Sequence, residues 1–280
     1  MATIAFSTGS LHTYGISRAF ELAAEAGFEA VEVLIDHRWD SRQPAYLKRL
    51  SRESGLPIVA VHSPFVPHVP GWPSDPLGRL QHSAALAREL KAGIVVAHLP
   101  LRIHAAKVEF FGLSKRPLLL PVPFPVSSDY RRFLLNGLDQ FEADEEVLVG
   151  VENMPAKRVL GRHLDIHSLN TLDELANLSH LTLDTTHLAT WQLDPGEVYE
   201  RFGTRVVHIH LSNFDGEEHK LPQTGHLPLA DFLQRLRQTH YQGAVSVELR
   251  PDVLQAEDEE QVRMHLRRVV AFCREHLGRG

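Results

Sequence analysis

Cysteine is nearly absent. The single thiol, Cys273, sits in a helical pattern and leaves no partner for an internal disulfide. No apolar run approaches the ~20 residues that span a bilayer, so no membrane partner is expected. Basic charge is not in excess: 29 Lys and Arg face 35 Asp and Glu, a net charge of −6. The field of the whole molecule therefore does not favour nucleic acid. The run Met1-Ala2-Thr3-Ile4-Ala5-Phe6 lacks the basic start and apolar core of a signal peptide, and a cytoplasmic location is the expectation. A glycine-rich phosphate loop is missing too. Ser7-Thr8-Gly9-Ser10 does not match the fingerprint that follows the first strand of a doubly wound sheet.

Histidine, by contrast, is abundant, with 18 residues. His163, His167, His240, His265 and His276 fall in polar helical or loop contexts and read as surface residues. The informative ones end apolar runs. Residues 58–61 lead into His62, 94–97 into His98, 147–151 into Glu152, 180–183 into Asp184, 206–209 into His210, and 244–247 into Glu248. Runs of this length suit fully buried parallel strands. A metal-capable side chain at the same end of successive strands gathers all of them on one face.

Strand patterns near 3–7, 30–35, 57–62, 94–98, 147–152, 181–184, 206–211 and 244–249 alternate with helical ones. The latter cover 16–26, 44–54, 76–91, 128–141, 171–178, 195–202, 230–239 and 257–276. Gly27, Gly55, Gly93, Gly203 and Gly243 each precede a strand, where a glycine can end a helix. Eight β/α units predict an α/β protein with a (β/α)8 TIM barrel, one domain over 1–280. An open doubly wound sheet is the alternative. Segment 99–127 breaks the alternation. Four prolines between Pro117 and Pro125 forbid a regular helix there, so an irregular insertion over the catalytic face is expected, as a lid, a dimer contact or a loop packed on its own barrel.

Glu152, Asp184, His210 and Glu248 supply three carboxylates and one imidazole from four successive strand ends. Such a set suits a divalent metal: Mn²⁺ or Zn²⁺ first, with Mg²⁺ or Co²⁺ as further candidates. Carboxylates on opposite sides of the site can also remove and return a proton. Glu32 in strand 2 either meets a substrate hydroxyl or pairs with a neighbouring charge, and pairing is preferred. Trp39, Trp72 and Trp191 read as packing residues, and His12 as a loop residue near strand 1. Arg102 and Arg250 are the nearest candidates for a phosphate.

The motifs Val151-Glu152-Asn153-Met154-Pro155, Leu183-Asp184-Thr185-Thr186-His187, His208-Ile209-His210-Leu211 and Val247-Glu248-Leu249 resemble those of the xylose-isomerase-like barrel superfamily. That resemblance implies sugar isomerases and epimerases, with endonuclease-IV-type abasic-site nucleases as relatives. For an isomerase it implies Glu152 and Glu248 as the acid/base pair across an enediolate, and His187 as a proton relay. His62, His98, His219 and Glu32 would then touch a small sugar-like substrate. For a nuclease it implies further metals on His62, His98, His187, Glu217 and His219, with Glu217 standing where that branch has an aspartate and His226 a rival to His219. The short loop after His210, Phe65 in place of an aromatic hydroxyl, and the acidic charge weigh against the nuclease. The leading expectation is a metal-dependent sugar isomerase or epimerase that can form a homo-oligomer. A zinc phosphodiesterase on abasic DNA and a non-catalytic sugar- or metal-binding barrel are the alternatives.

Overall fold

A computed structural model describes residues 1–66, 68–102, 104–108, 118–122, 128–159 and 162–278. Its strands are β1 (Thr3–Ser7), β2 (Ala30–Leu34), β3 (Ile58–His62), β4 (Ile94–His98), β5 (His104–Val108), β6 (Leu118–Val122), β7 (Leu148–Glu152), β8 (Lys157–Val159), β9 (Arg162–Leu164), β10 (Leu181–Asp184), β11 (Val206–Leu211) and β12 (Ala244–Val247). Its α-helices are α1 (Ile16–Ala26), α2 (Pro44–Ser54), α3 (Pro76–Leu90), α4 (Ser128–Asn136), α5 (Leu138–Glu145), α6 (Leu172–Leu175), α7 (Thr185–Thr190), α8 (Pro195–Phe202), α9 (Leu229–Gln238) and α10 (Glu259–Leu277).

Strands β1, β12, β11, β10, β7, β4, β3 and β2 close in that order into a parallel barrel. This is the TIM barrel that the alternation implies. Side chains alternate across each strand. Ile4, Phe6, Val31, Val33, Ile209, Leu211, Val245 and Val247 belong to the large apolar core shared with helix residues such as Phe20, Leu47 and Leu80. Ala5, Ala30 and Ala244 form a separate small cluster on the other face. Glu32, Thr182, His208, His210 and Ser246 fall on that inner face by the same period of two, and each is fully buried. The barrel interior is thus small at its base and polar at its carboxyl end.

The first and last strands pair, Thr3 with Ala244 through Phe6 with Val247. On the outside, Arg18 of α1 binds Glu259 of α10 at 2.6 Å, and Arg263 of α10 binds Glu25 of α1 at 2.9 Å. Gly27 and Gly55 end α1 and α2 in the left-handed region, at φ +90° and +71°. Lys91, not Gly93, takes that role for α3, at φ +60°.

Several expectations are corrected. The helix read over 128–141 is two helices, because the chain breaks at Gly137. Part of segment 99–127 is β5 paired antiparallel with β6. Residues 103, 109–117 and 123–127 lie outside the described residues. Beyond Glu152 the chain forms a second antiparallel pair, β8 with β9. His167 and His265, read as surface residues, are buried; His265 lies on the inner face of α10 with Val262, Leu266 and Val269. The His163 side chain lies outside what is described. Among the described residues no helix is long and apolar enough to cross a membrane.

Gly150 of β7 packs against Thr182 of β10, whose Oγ1 donates to Gly150 O at 3.1 Å. A methyl group at 150 would overlap that hydroxyl. Gly150→Ala should lower stability by about 1–3 kcal/mol, the range of overpacking, and Gly150→Ala/Thr182→Ala should recover part of it. Urea unfolding of both variants checks this; unchanged stability in Gly150→Ala refutes the packing argument.

Candidate active site at the carboxyl end of the barrel

Glu152 ends β7, Asp184 ends β10, and His210 lies near the end of β11. Glu248 follows β12 by one residue. Asp184 is in register with His210, which places them side by side. One ligand atom from each of Glu152, Asp184, His210 and Glu248 lies within 4.8 Å of the others. His210 Nδ1 is 3.0 Å from both Glu152 Oε1 and Glu248 Oε2, and 3.9 Å from Asp184 Oδ2.

A short helix that the apolar pattern does not reveal completes this side of the site. Asp184 is the N-cap of α7: its Oδ1 accepts from His187 N at 2.8 Å and from Thr186 Oγ1 at 2.9 Å. The cap holds Asp184 rigid and brings His187 back beside it. Asn153 adds a clamp. Its Oδ1 accepts from Asp184 N at 2.9 Å, and its Nδ2 donates to Asp184 O at 3.2 Å. His187 Nδ1 meets Asn153 O at 2.8 Å, so that nitrogen carries the proton. Asp184, His187 and His219 form a further group of close donor atoms. His219 sits in the left-handed region at φ +59°, uncommon for residues other than glycine though less so for histidine, and meets Ser212 Oγ at 3.2 Å through Nδ1.

The other side of the site belongs to β3 and β4. His98 Nε2 lies 3.0 Å from Glu152 Oε2, and His62 Nε2 lies 3.6 Å from it. Phe65, half exposed, stacks on His98 with centroids 5.3 Å apart and meets His62 edge-on.

Two expected site residues are elsewhere. Glu32 is fully buried and pairs with His208 and His210, the reading preferred from sequence over contact with substrate. Glu217 is not in the close donor group of His187 and His219: it accepts from Lys220 at 3.0 Å and Arg250 at 3.1 Å, and its exposed carboxyl is held low by the Lys220 ammonium. His226 is exposed, whereas His219 meets His187 at 5.6 Å between centroids. The phosphate candidates are engaged by carboxylates, Arg102 by Glu174 and Arg250 by Asp252 and Glu217. Trp39 is 64% exposed, Trp72 packs on His82, and Trp191 Nε1 donates to Met154 O at 2.9 Å. Asn153 and His208 stood inside quoted motifs without a role. For His208 the signal was its place two residues before His210, hence on the same strand face.

Electrostatics sharpen the picture. Burial disfavours the charged form of Glu152, yet His210, helped by His62 and His98, holds its carboxyl well below the usual range. Burial likewise opposes protonation of His210, but Glu32, Glu248 and Glu152 raise it well above an ordinary histidine. His187 is raised despite burial, by Asp184 and Glu152, whereas burial lowers His98. Glu152 Oε2 and Asp184 Oδ2 are buried without an aligned hydrogen bond. Buried polar atoms of this kind normally have a partner. Hard oxygen donors left open beside an imidazole fit a divalent cation.

The model of a family described as xylose isomerase-like TIM barrel matches residues 20–270. The chain belongs to this family. It is 27% identical to an uncharacterized protein of Mycobacterium leprae (strain TN) over 297 residues, covering 98% of this chain and 97% of the other. It is 32% identical to the D-psicose 3-epimerase of Enterocloster bolteae over 150 residues, covering 48% of this chain and 46% of the other. Its fold matches a crystal structure of D-psicose 3-epimerase in the presence of D-fructose with a TM-score of 0.67, at 16% identity and 99% coverage of each chain.

If the cluster takes a cation, the metal-free protein should be stabilised by adding Mn²⁺ or Zn²⁺. At a concentration 100 times the dissociation constant the gain is about 2.7 kcal/mol. Asp184→Asn and His210→Ala should lose most of the rise in melting temperature. Scanning calorimetry with and without metal measures it, and an equal rise in all three proteins rules out this cluster as the site.

Proposed function

We propose that this protein is a divalent-metal-dependent isomerase or epimerase of a sugar or sugar-like polyol. The observation that carries the reading is the placing of Glu152 and Glu248 against the same nitrogen of His210, with Asp184 beside them. Glu152, Asp184, His210 and Glu248 would hold the metal. When bound, a dication polarises a substrate carbonyl and so acidifies the neighbouring C–H.

The chain's own groups do the rest. One glutamate takes the proton from the carbon beside the carbonyl, leaving an enediolate. The other returns a proton to the opposite face of that carbon, which inverts it, or to the adjacent carbon, which isomerises the sugar. Glu248 is 17% exposed and can exchange its proton with water, while Glu152 is buried behind the imidazoles of His62 and His98. His187, fixed by Asn153 O, is held to bind or protonate a substrate oxygen. His62, His98 and His219 border the same space and suit hydroxyl recognition. The neutralised Arg102 and Arg250 favour an uncharged substrate over a phosphorylated one. The likeness to a D-psicose 3-epimerase supports the sugar class.

A second reading, a zinc phosphodiesterase acting on abasic DNA, is favoured by one observation: two further donor groups, His62/Glu152/His210 and Asp184/His187/His219, adjoin the main cluster. Its expected ligand Glu217 faces Lys220 and Arg250 instead.

Incubation of the Mn²⁺-supplemented protein with a panel of ketopentoses and ketohexoses in D2O tests the leading reading. Deuterium should enter at the carbon beside the carbonyl as a new epimer or isomer forms. Glu152→Gln and Glu248→Gln should each reduce exchange by about 10²–10⁴-fold, the usual scale of acid–base catalysis, with circular dichroism unchanged. No exchange across the panel, together with near three metals per chain and incision of an abasic duplex, would establish the second reading instead.

A further inference from the structure

We propose that Glu32 is a positioning residue that keeps a hydrogen on His210 Nε2, so that Nδ1, the nitrogen facing the three carboxylates, is the one given to a cation, and that His208 holds Glu32 in place. This rests on the reading of Glu152, Asp184, His210 and Glu248 as a cation site.

Glu32 lies on β2, three strands round the barrel from β11. Its Oε2 is 2.5 Å from His208 Nε2 and 3.1 Å from His210 Nε2. An ionised carboxylate only accepts, so both nitrogens bring the hydrogen. A neutral imidazole carries a single N–H. Without an ion, Nδ1 also brings a hydrogen, to Glu152 Oε1 at 3.0 Å; a cation displacing that proton would meet the lone pair on Nδ1, the nitrogen also 3.0 Å from Glu248 Oε2, because Glu32 keeps the other hydrogen on Nε2. Which nitrogen of a histidine binds a metal is set by the bond the other one makes. The three side chains are fully buried, so water cannot replace this contact.

His208 is the second half of the device. It stands two residues before His210 on the inner face of β11, its ring edge-on to that of His210 at 5.3 Å. Sharing Oε2, it fixes the carboxylate from below. Filling the space needs no charge: apolar residues of similar volume pack as well as a buried ion pair or better. The same three residues also lie close enough to be considered as ion ligands themselves. Two donors bonded at about 2 Å to a tetrahedral ion stand roughly 3.3 Å apart, whereas the 2.5 Å contact between Glu32 and His208 is that of a short hydrogen bond.

Zinc alone serves as the probe. In zinc-loaded protein labelled with ¹⁵N-histidine, NMR should show His210 metal-bound through Nδ1 and protonated at Nε2. By chelator competition, Glu32→Gln should weaken zinc binding about 10–100-fold, the scale for such supporting groups. Glu32→Asp, which keeps the charge, should lose less, and so should His208→Gln. Melting of the metal-free variants is measured alongside. Zinc on His210 Nε2, a second zinc lost with Glu32, or wild-type zinc affinity in a Glu32→Gln protein that is merely less stable, each overturns the proposal while leaving the cation site standing. Failure of the wild type to bind zinc, or equal binding by His210→Ala, removes the cation reading and this proposal together. Should Glu32→Gln not fold, the NMR result on the wild type decides.

Discussion

Crowding of negative charge organises this molecule. Glu32, Glu152, Asp184 and Glu248 surround one imidazole, with His210 nitrogens 3.0–3.9 Å from an oxygen of each. Carboxylates brought together away from water repel each other strongly, and a single imidazolium balances one charge at most. A cation at the proposed site would balance them, and the surrounding structure holds the acids in position. The N-cap bonds on Asp184, the Asn153 clamp and the two imidazoles against Glu152 all restrain carboxylates that would otherwise swing apart.

The barrel was legible because its strands are buried on both sides. Such strands appear in sequence as short apolar runs, and the runs that end on Glu152 and Asp184 end there in space as well, while His210 stands one residue before the end of its strand. The four residues of the main cluster could therefore be chosen from their order alone. Helix ends were less legible where backbone geometry, not composition, sets them. Gly137 interrupts an amphipathic pattern that continues on either side, and Lys91 adopts a left-handed cap in place of a nearby glycine.

What remained hidden depends on loops that double back. His187 was reached only through the motif it shares with the barrel superfamily, because the helix that brings it into the site, α7, is capped by Asp184 and at six residues is too short to leave a period in the sequence. Glu217 had the spacing of a ligand, but ion pairs with Lys220 and Arg250 draw it outward, and spacing carries no information about such competition. Glu32 and His208 lie in the barrel interior on strands that are not adjacent, so only closure of the sheet brings them together.

That closure has a cost during synthesis. β1 finds its partner on one side only in β12, whose residues follow it by some two hundred and forty positions. Until residue 247 has left the ribosome, the nascent sheet is an open ribbon with two unpaired edges, and such edges invite pairing with other chains. Contacts this distant also slow folding, because a long loop must be ordered before they form. The helix ion pairs Arg18–Glu259 and Arg263–Glu25 form across the same seam, so they act as a clasp fastened last. A nascent chain that stalls before β12 is therefore left with an open seam and an unfinished site, and it depends on whatever shields its edges while the final strand is made.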